Sequence, residues 1–183
     1  QGKSLIEFGA GSGFNALATY KILKPKQYTL VDGNEKAIHQ MTQLFSENFG
    51  NRKEIRIEQS RILDFDVQTN YDICILENVV AGQLTGREIL CHASLFAPIF
   101  LFSLVDPVGM FSETLRFYIA QEFIQTCNTL EEKVDRLMPI FSPHLATVRG
   151  MNRRFDDWII DNLINPATIG DLHSLPDAIE AIG

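Results

Sequence analysis

Along the first hundred residues, short apolar runs alternate with stretches whose apolar positions recur every three or four residues. Ser4-Leu5-Ile6-Glu7-Phe8 reads as a strand that stops at the glycine cluster Gly9, Gly11 and Gly13. A helix is expected from Phe14 to Leu23, halted ahead of Pro25, whose ring disfavours helix in the residue before it. Tyr28-Thr29-Leu30-Val31 forms a second strand, ending at Asp32. From Glu35 to Phe49, the spacing of Ile38, Met41, Leu44, Phe45 and Phe49 predicts an amphipathic helix, with Gly50 placed to cap it. A third strand begins at Ile55-Arg56-Ile57, and a fourth covers Tyr71 to Leu76. A helix is expected from Gly86 to Ala97 and a fifth strand from Ile99 to Val105. This alternation predicts βαβ units, hence an α/β fold with a doubly wound, mainly parallel sheet.

After Asp106-Pro107 the rhythm changes. Ser112 to Asn128, Leu130 to Met138 and Phe155 to Leu163 read as helices, with Phe111, Leu115, Tyr118, Ile119 and Phe123 on one apolar face. Trp158, the only tryptophan, is expected in a core. Residues 1–105 are therefore read as the α/β core, and residues 106–183 as a mainly helical acceptor lid or interface region of the same domain. Apolar faces such as Phe117, Ile119, Ile124 and Leu130 are expected to serve as core or as a homodimer contact through this region. The chain opens at Gln1 without Met, runs almost directly into an apolar strand and stops at Gly183, so an excerpt of a longer chain is expected. The signature of a signal peptide is absent from its start.

Composition narrows the classes. With 183 residues, 45% hydrophobic and 21% charged, the chain fits one folded domain and not a disordered segment. Its most apolar stretch, Leu95 to Val105, is interrupted by Pro98 and Ser103 and falls short of the roughly 20 apolar residues of a membrane span. The net charge of −7 is uneven: residues 1–100 carry 10 Lys/Arg against 11 Asp/Glu, and residues 101–183 carry 6 against 12. That balance, with no basic run longer than two, argues against a nucleic-acid partner. Cys74, Cys91 and Cys127 are odd in number and lack C-x-x-C spacing, which suggests neither a disulfide framework nor a zinc site and fits a cytoplasmic protein. The four histidines are scattered singly, and no metal site is expected.

The sharpest local chemistry is Glu7-Phe8-Gly9-Ala10-Gly11-Ser12-Gly13-Phe14, between a strand and a helix. Glycines there let the backbone turn tightly and bring main-chain N–H groups against a ligand at a helix N-terminus. Asp32, at the end of the second strand, can accept both hydroxyl hydrogens of a ribose. Together they point to an adenosine-containing ligand. A dinucleotide fingerprint, G-x-G-x-x-G, would place its last glycine where Phe14 stands, and Glu7 would repel a pyrophosphate. The same carboxylate favours a ligand with a cationic amino group.

The segment resembles motif I of the class I S-adenosylmethionine-dependent methyltransferases, D/E-x-G-x-G-x-G. The resemblance implies S-adenosyl-L-methionine as cofactor, its methionine part held by Glu7, Phe8 and the loop of Gly9, Ala10, Gly11 and Gly13. Asp32, with Gly33 beside it, would take the ribose. The adenine would lie after the third strand, against Ser60, Arg61 and Ile62, where many members carry Gly-Asp and this chain has Gln59-Ser60.

Glu77 ends the fourth strand, where doubly wound sheets bind substrates. Residues 55–105, through Tyr71 to Glu77 and Gly86-Arg87-Glu88, also resemble the protein arginine methyltransferases. Those enzymes grip a guanidinium with two glutamates after this strand. The resemblance implies catalytic roles for Glu77 and Glu88, with Glu77 also near the cofactor. Their 11-residue separation is slightly longer than that family's, and nothing after Asp106 looks like its β-barrel. No Asn-Pro-Pro-Tyr or Asp-Pro-Pro-Tyr run follows the strand, which argues against nucleobase methylation. Arg149, Arg153 and Arg154, ahead of Asp156-Asp157-Trp158, read either as an anionic acceptor site or as a helix entry with mixed surface charge. The leading expectation is a methyltransferase acting on a small-molecule or protein acceptor. The alternatives are an NAD(P)-dependent oxidoreductase and a non-catalytic nucleoside-binding module of a larger protein.

Overall fold

The computed structural model describes residues 2–66, 70–81, 83–166, 169–170 and 172–183. Five strands, β1 (Ser4–Phe8), β2 (Gln27–Asp32), β3 (Ile55–Gln59), β4 (Ile73–Leu76) and β5 (Ile99–Phe102), form one sheet in the order β3-β2-β1-β4-β5. Every pairing is parallel, with Leu5 opposite Tyr28 on one side and Ile73 on the other. A central parallel strand is covered on both faces and so reads as a continuous apolar run; all five residues of β1 are buried. Because side chains alternate, Ile6 and Phe8 enter one core with Val31, Cys74 and Leu76, whereas Leu5 enters another with Tyr28 and Leu30.

Helices α1 (Phe14–Leu23) and α2 (Glu35–Phe49) cover the second face through Ala16, Met41 and Phe45. Helix α2 begins where the Asn34 side chain accepts from the N–H groups of Lys36 and Ala37, satisfying two donors that the first turn leaves free. Helix α3 (Gly86–Ser94) covers the first face with Ile89, Leu90 and Ala93. The N-terminal ends of β1 and β4 are tied by Asp72, which accepts from the Ser4 N–H at 2.7 Å and the Ser4 hydroxyl at 2.9 Å. These bonds hold its carboxyl well down, at about 2.

The helical region builds a separate core. Helices α4 (Phe111–Ile124), α5 (Leu130–Leu145) and α6 (Phe155–Ile159), the last continued by a π-helical turn over Ile160–Ile164, bury Ala120, Ile124, Leu137, Phe141, Leu145, Ile159 and Leu163 together. Trp158 packs against this cluster, partly buried. Helix α4 turns its small and branched residues inward, so the expected apolar face of Phe111, Leu115, Tyr118, Ile119 and Phe123 lies exposed instead.

Helix α5 runs past its expected end at Met138, through Pro139 and Pro143. A helical proline removes one N–H bond to the carbonyl four residues back. Those carbonyls belong here to Asp135 and Pro139, both residues on the exposed side of the helix. The sequence reading contains no helix after Leu163, but α7 (Leu175–Ile182) forms behind a reciprocal cap between Ser174 and Asp177. It packs on α3, with Ala178 in the sheet's first core, so the chain's last helix belongs spatially to the α/β part. Among the described residues, no helix is long and apolar enough to cross a membrane.

Separate cores predict separable stability. Replacing Leu137 by Ala should cost about 2–5 kcal/mol and should strip amide-exchange protection from α4–α6 while β1, β2 and β4 keep theirs. Equal loss of protection in the sheet, measured by hydrogen exchange, contradicts the separation.

Candidate functional site

The strand order reverses between β1 and β4, which opens a crevice at the carboxyl ends of the strands. Into it projects the turn from β1 to α1. Gly9 and Ala10 both donate their N–H groups to Val31 O, at 2.8 and 3.3 Å, so the turn stays pinned to β2. Gly9 has φ of 70°, and a Cβ there would overlap Val79 Cγ2. Gly13, at φ of 85°, caps α1, and a Cβ there would approach Met41 Cγ to 2.8 Å. Both positions need a left-handed backbone and space that only glycine leaves. Asp32 fixes the turn from the other side: Oδ2 accepts from the Gly11 N–H and Oδ1 from the Asn34 N–H, each at 2.8 Å.

Two concavities meet at Gly9. The larger, about 330 Å³, is lined by Gly9, Asp32, Gly33, Arg61, Ile62, Leu63, Val79, Gln83, Thr85 and Ile89. The smaller, about 240 Å³, is lined by Glu7, Gly9, Ala10, Gly11, Ser12, Phe14, Asn15 and Glu77. The structure thus brings Glu7, Gly9, Ala10, Gly11, Asp32, Gly33, Arg61, Ile62 and Glu77 to a trough made of two concavities that share Gly9. Four other expected residues stand apart from its lining. The Phe8 ring lies on the opposite face of the sheet from Glu7, edge-on to Phe65 and Phe96 at 5.5 and 5.1 Å. Gly13 serves the helix cap. The Ser60 hydroxyl donates to Arg61 O at 2.9 Å. Glu88 is exposed in the first turn of α3. Arg153 and Arg154 pair with Asp161 and Asp156 at the entry to α6, and so brace that helix.

Residues absent from the sequence reading also line the trough. Asn15 follows from the loop itself, as a polar residue in the first turn of the helix it opens. Leu63 directly follows the expected adenine residues Arg61 and Ile62, whereas Val79, Gln83, Thr85 and Ile89 carry no motif, because only the sheet topology places them beside Asp32. A roomier concavity of about 660 Å³ lies between the α4–α5 turn and α5. Its Glu132 is engaged in capping α5, and nothing in its lining converges as the strand-end carboxylates do. Among the described residues, no three His, Cys, Asp or Glu side chains stand together as a metal site.

The smaller concavity is strongly acidic. Glu7 is only 4% exposed and accepts a hydrogen bond from the Tyr28 hydroxyl. Burial pushes the Glu7 carboxyl up from its ordinary value; the Tyr28 bond opposes that shift and the nearby Glu77 carboxylate adds to it. Burial, with Glu7 beside it, raises Tyr28 as well. Glu77 is exposed at the end of β4 and accepts from Asn15 Nδ2 at 3.3 Å. Two carboxylates facing one small space favour a cation between them and oppose a phosphate group. The larger concavity offers Asp32 to a hydroxyl pair and apolar walls at Ile62, Leu63, Val79 and Ile89 to a flat ring. A cationic amino acid joined to a nucleoside fits this donor set, and a pyrophosphate over Glu7 and Glu77 does not.

The raised Glu7 carboxyl has a consequence for stability. As pH rises above the ordinary carboxyl value, the unfolded chain loses this proton first while the folded chain keeps it. Stability contributed by protonated Glu7 is therefore full below that value and is lost as pH rises through the raised one, by at most about 1.4 kcal/mol per pH unit. Glu7→Gln should melt alongside the parent at low pH and increasingly above it through this window. Parallel melting curves across the range contradict the assignment.

No protein-family model matches the chain, and no curated protein matches it. Among solved structures it is similar to PKMT2 from Rickettsia typhi in complex with AdoHcy, with a TM-score of 0.71 at 17% identity over 98% of this chain and 37% of that one. A second structure of PKMT2 from Rickettsia typhi gives 0.71 at 13% identity, over 98% and 38%. The YcgJ protein from Bacillus subtilis gives 0.52 at 14% identity, over 66% and 52%. The chain spans little more than a third of the length of the PKMT2 chains. At these identities the likeness is one of fold: the chain has the Rossmann-like α/β fold of the class I methyltransferases.

Proposed function

We propose that the chain is an S-adenosylmethionine-dependent methyltransferase, binding its donor along the trough that crosses Gly9. The observation that carries this reading is that two concavities share Gly9 as a wall, with Asp32 in one and Glu7 and Glu77 in the other. The fold neighbour PKMT2, determined with AdoHcy, supports the same ligand class.

Each residue has a task that follows from its chemistry. Asp32 accepts from the ribose hydroxyls while its bonds to Gly11 and Asn34 keep it aimed. Ile62, Leu63 and Ile89 supply the apolar walls for adenine, with Gln83 and Thr85 as polar edges. Gly9, Ala10 and Gly11 let the backbone lie against the donor's midsection. Glu7 attracts the ammonium end of the methionine part, and Glu77 faces the charged sulfur, where an acceptor would enter. Glu88, on the neighbouring surface of α3, is assigned to acceptor recognition.

The bound donor supplies a methyl group on a positively charged sulfur: the acceptor's lone pair forms the new bond to carbon as the carbon–sulfur bond breaks and its electrons stay on sulfur. The protein's share of such a displacement is mainly proximity and orientation. The NAD(P) reading is disfavoured by the paired carboxylates and by Phe14, which stands exposed at the trough's lip where a dinucleotide fingerprint has glycine.

Calorimetric titration tests the reading. The chain should bind S-adenosylhomocysteine and not NAD, and Asp32→Ala should weaken that binding roughly 10- to 100-fold, the worth of one or two hydrogen bonds to a charged acceptor. Binding of NAD without S-adenosylhomocysteine overturns it.

A further inference from the structure

Three hydrogen bonds converge on Ser103, the residue after β5. Its N–H donates to Leu76 O at 3.1 Å, its Oγ accepts from the Asn78 N–H at 2.7 Å, and the same hydroxyl reaches Asn78 Oδ1 at 3.3 Å. One serine thus grips both ends of the tripeptide Leu76-Glu77-Asn78. Asn78 is left-handed, at φ of 56°; among the described residues only Lys24 shares this sign without being glycine. Asparagine enters this region more readily than most residues because its short amide bonds locally, and here that bond is to Ser103. Backbone held away from its ordinary wells by such contacts is a mark of sites that need a fixed geometry.

The residue enclosed by the clamp is Glu77. Its side chain lines the smaller concavity and is held at its far end by Asn15 Nδ2. Ser103 itself lines neither concavity, so its influence passes through Asn78 and Glu77. The clamp fixes the backbone from which the exposed Glu77 side chain departs, and Asn15 holds that side chain's far end, so part of the ordering cost of meeting a ligand is met in advance.

Resting on the donor site proposed above, we infer that Ser103 is a positioning residue that aims Glu77 at the charged sulfur and so sets the preference for sulfonium over thioether ligands. S-adenosylmethionine and S-adenosylhomocysteine share every other group and differ by the methyl and its positive charge. A carboxylate's attraction for that charge depends on distance and surroundings, so the ratio of the two affinities reads the aim of Glu77 directly. The loop's mere integrity would affect both ligands alike.

The test is calorimetric titration of both ligands into the full chain and into Ser103→Ala, Ser103→Thr and Glu77→Gln. Ser103→Ala should lower the preference for S-adenosylmethionine about fivefold while S-adenosylhomocysteine affinity stays within about twofold. Ser103→Thr, which keeps the hydroxyl, should restore the parent ratio, and Glu77→Gln should shift it in the same direction as Ser103→Ala. Equal weakening of both ligands by Ser103→Ala overturns the inference, as does an unchanged ratio in either Ser103→Ala or Glu77→Gln. If the parent chain binds neither ligand, the donor reading itself fails and this inference falls with it. If the parent binds both and only the ratios disagree, the inference falls alone.

Discussion

Between Phe8 and Phe14 the chain must leave the central strand, cross the sheet's carboxyl edge and enter a helix, with Val79 crowding one side and Met41 the other. Side chains at Gly9 or Gly13 would collide with those neighbours, so the turn at these points is made of backbone alone. Everything else at this end of the sheet is arranged around that constraint. Val31 O holds two of the turn's amides, Asp32 holds a third, and the bare backbone they fix lines the trough on either side.

The same constraint decides the site's electrostatics. Pinning the turn to β2 seats Glu7 under α1, where burial raises its carboxyl, and leaves Glu77 across a small gap at the end of β4. Asp32 does two jobs with one carboxylate: it completes the turn, and it faces the larger concavity. A site that places carboxylates at both ends and an open backbone in the middle is matched to a ligand with hydroxyls at one end and positive charge at the other. The helical region keeps a core of its own, from Ala120 to Leu163, and touches none of this machinery through the trough's lining.

What the sequence revealed is what local physics governs. The ends of α1 and α2 could be read because the glycine cluster precedes α1, Pro25 halts it, Gly50 is a cap residue and the apolar spacing of α2 is regular. Asp32 could be placed because a strand's end is visible in its apolar run. The burial of Phe8, in contrast, depends on which sheet face it takes, and alternation alone does not say which face carries the ligand. Val79, Gln83, Thr85 and Ile89 reach the site through the reversal of strand order between β1 and β4, a fact about topology and not about neighbours in the chain. Helix α5 runs past its expected end through two prolines whose lost bonds fall on the exposed residues Asp135 and Pro139, and which face is exposed is a tertiary fact. Helix α7 had a legible start in its Ser174–Asp177 cap, but its eight residues offer little periodicity to read.

The account's central claim is that the trough across Gly9 is a single donor site with its hydroxyl end at Asp32 and its charged end at Glu77. A crystal structure of the chain soaked with S-adenosylhomocysteine measures this most directly. The account predicts both ribose hydroxyls on the Asp32 carboxylate, adenine between Ile62 and Ile89, and the homocysteine portion over Gly9–Gly11 toward Glu77. Ligand density lying elsewhere, or running through the trough with the nucleoside at Glu77 and the amino acid at Asp32, would contradict it.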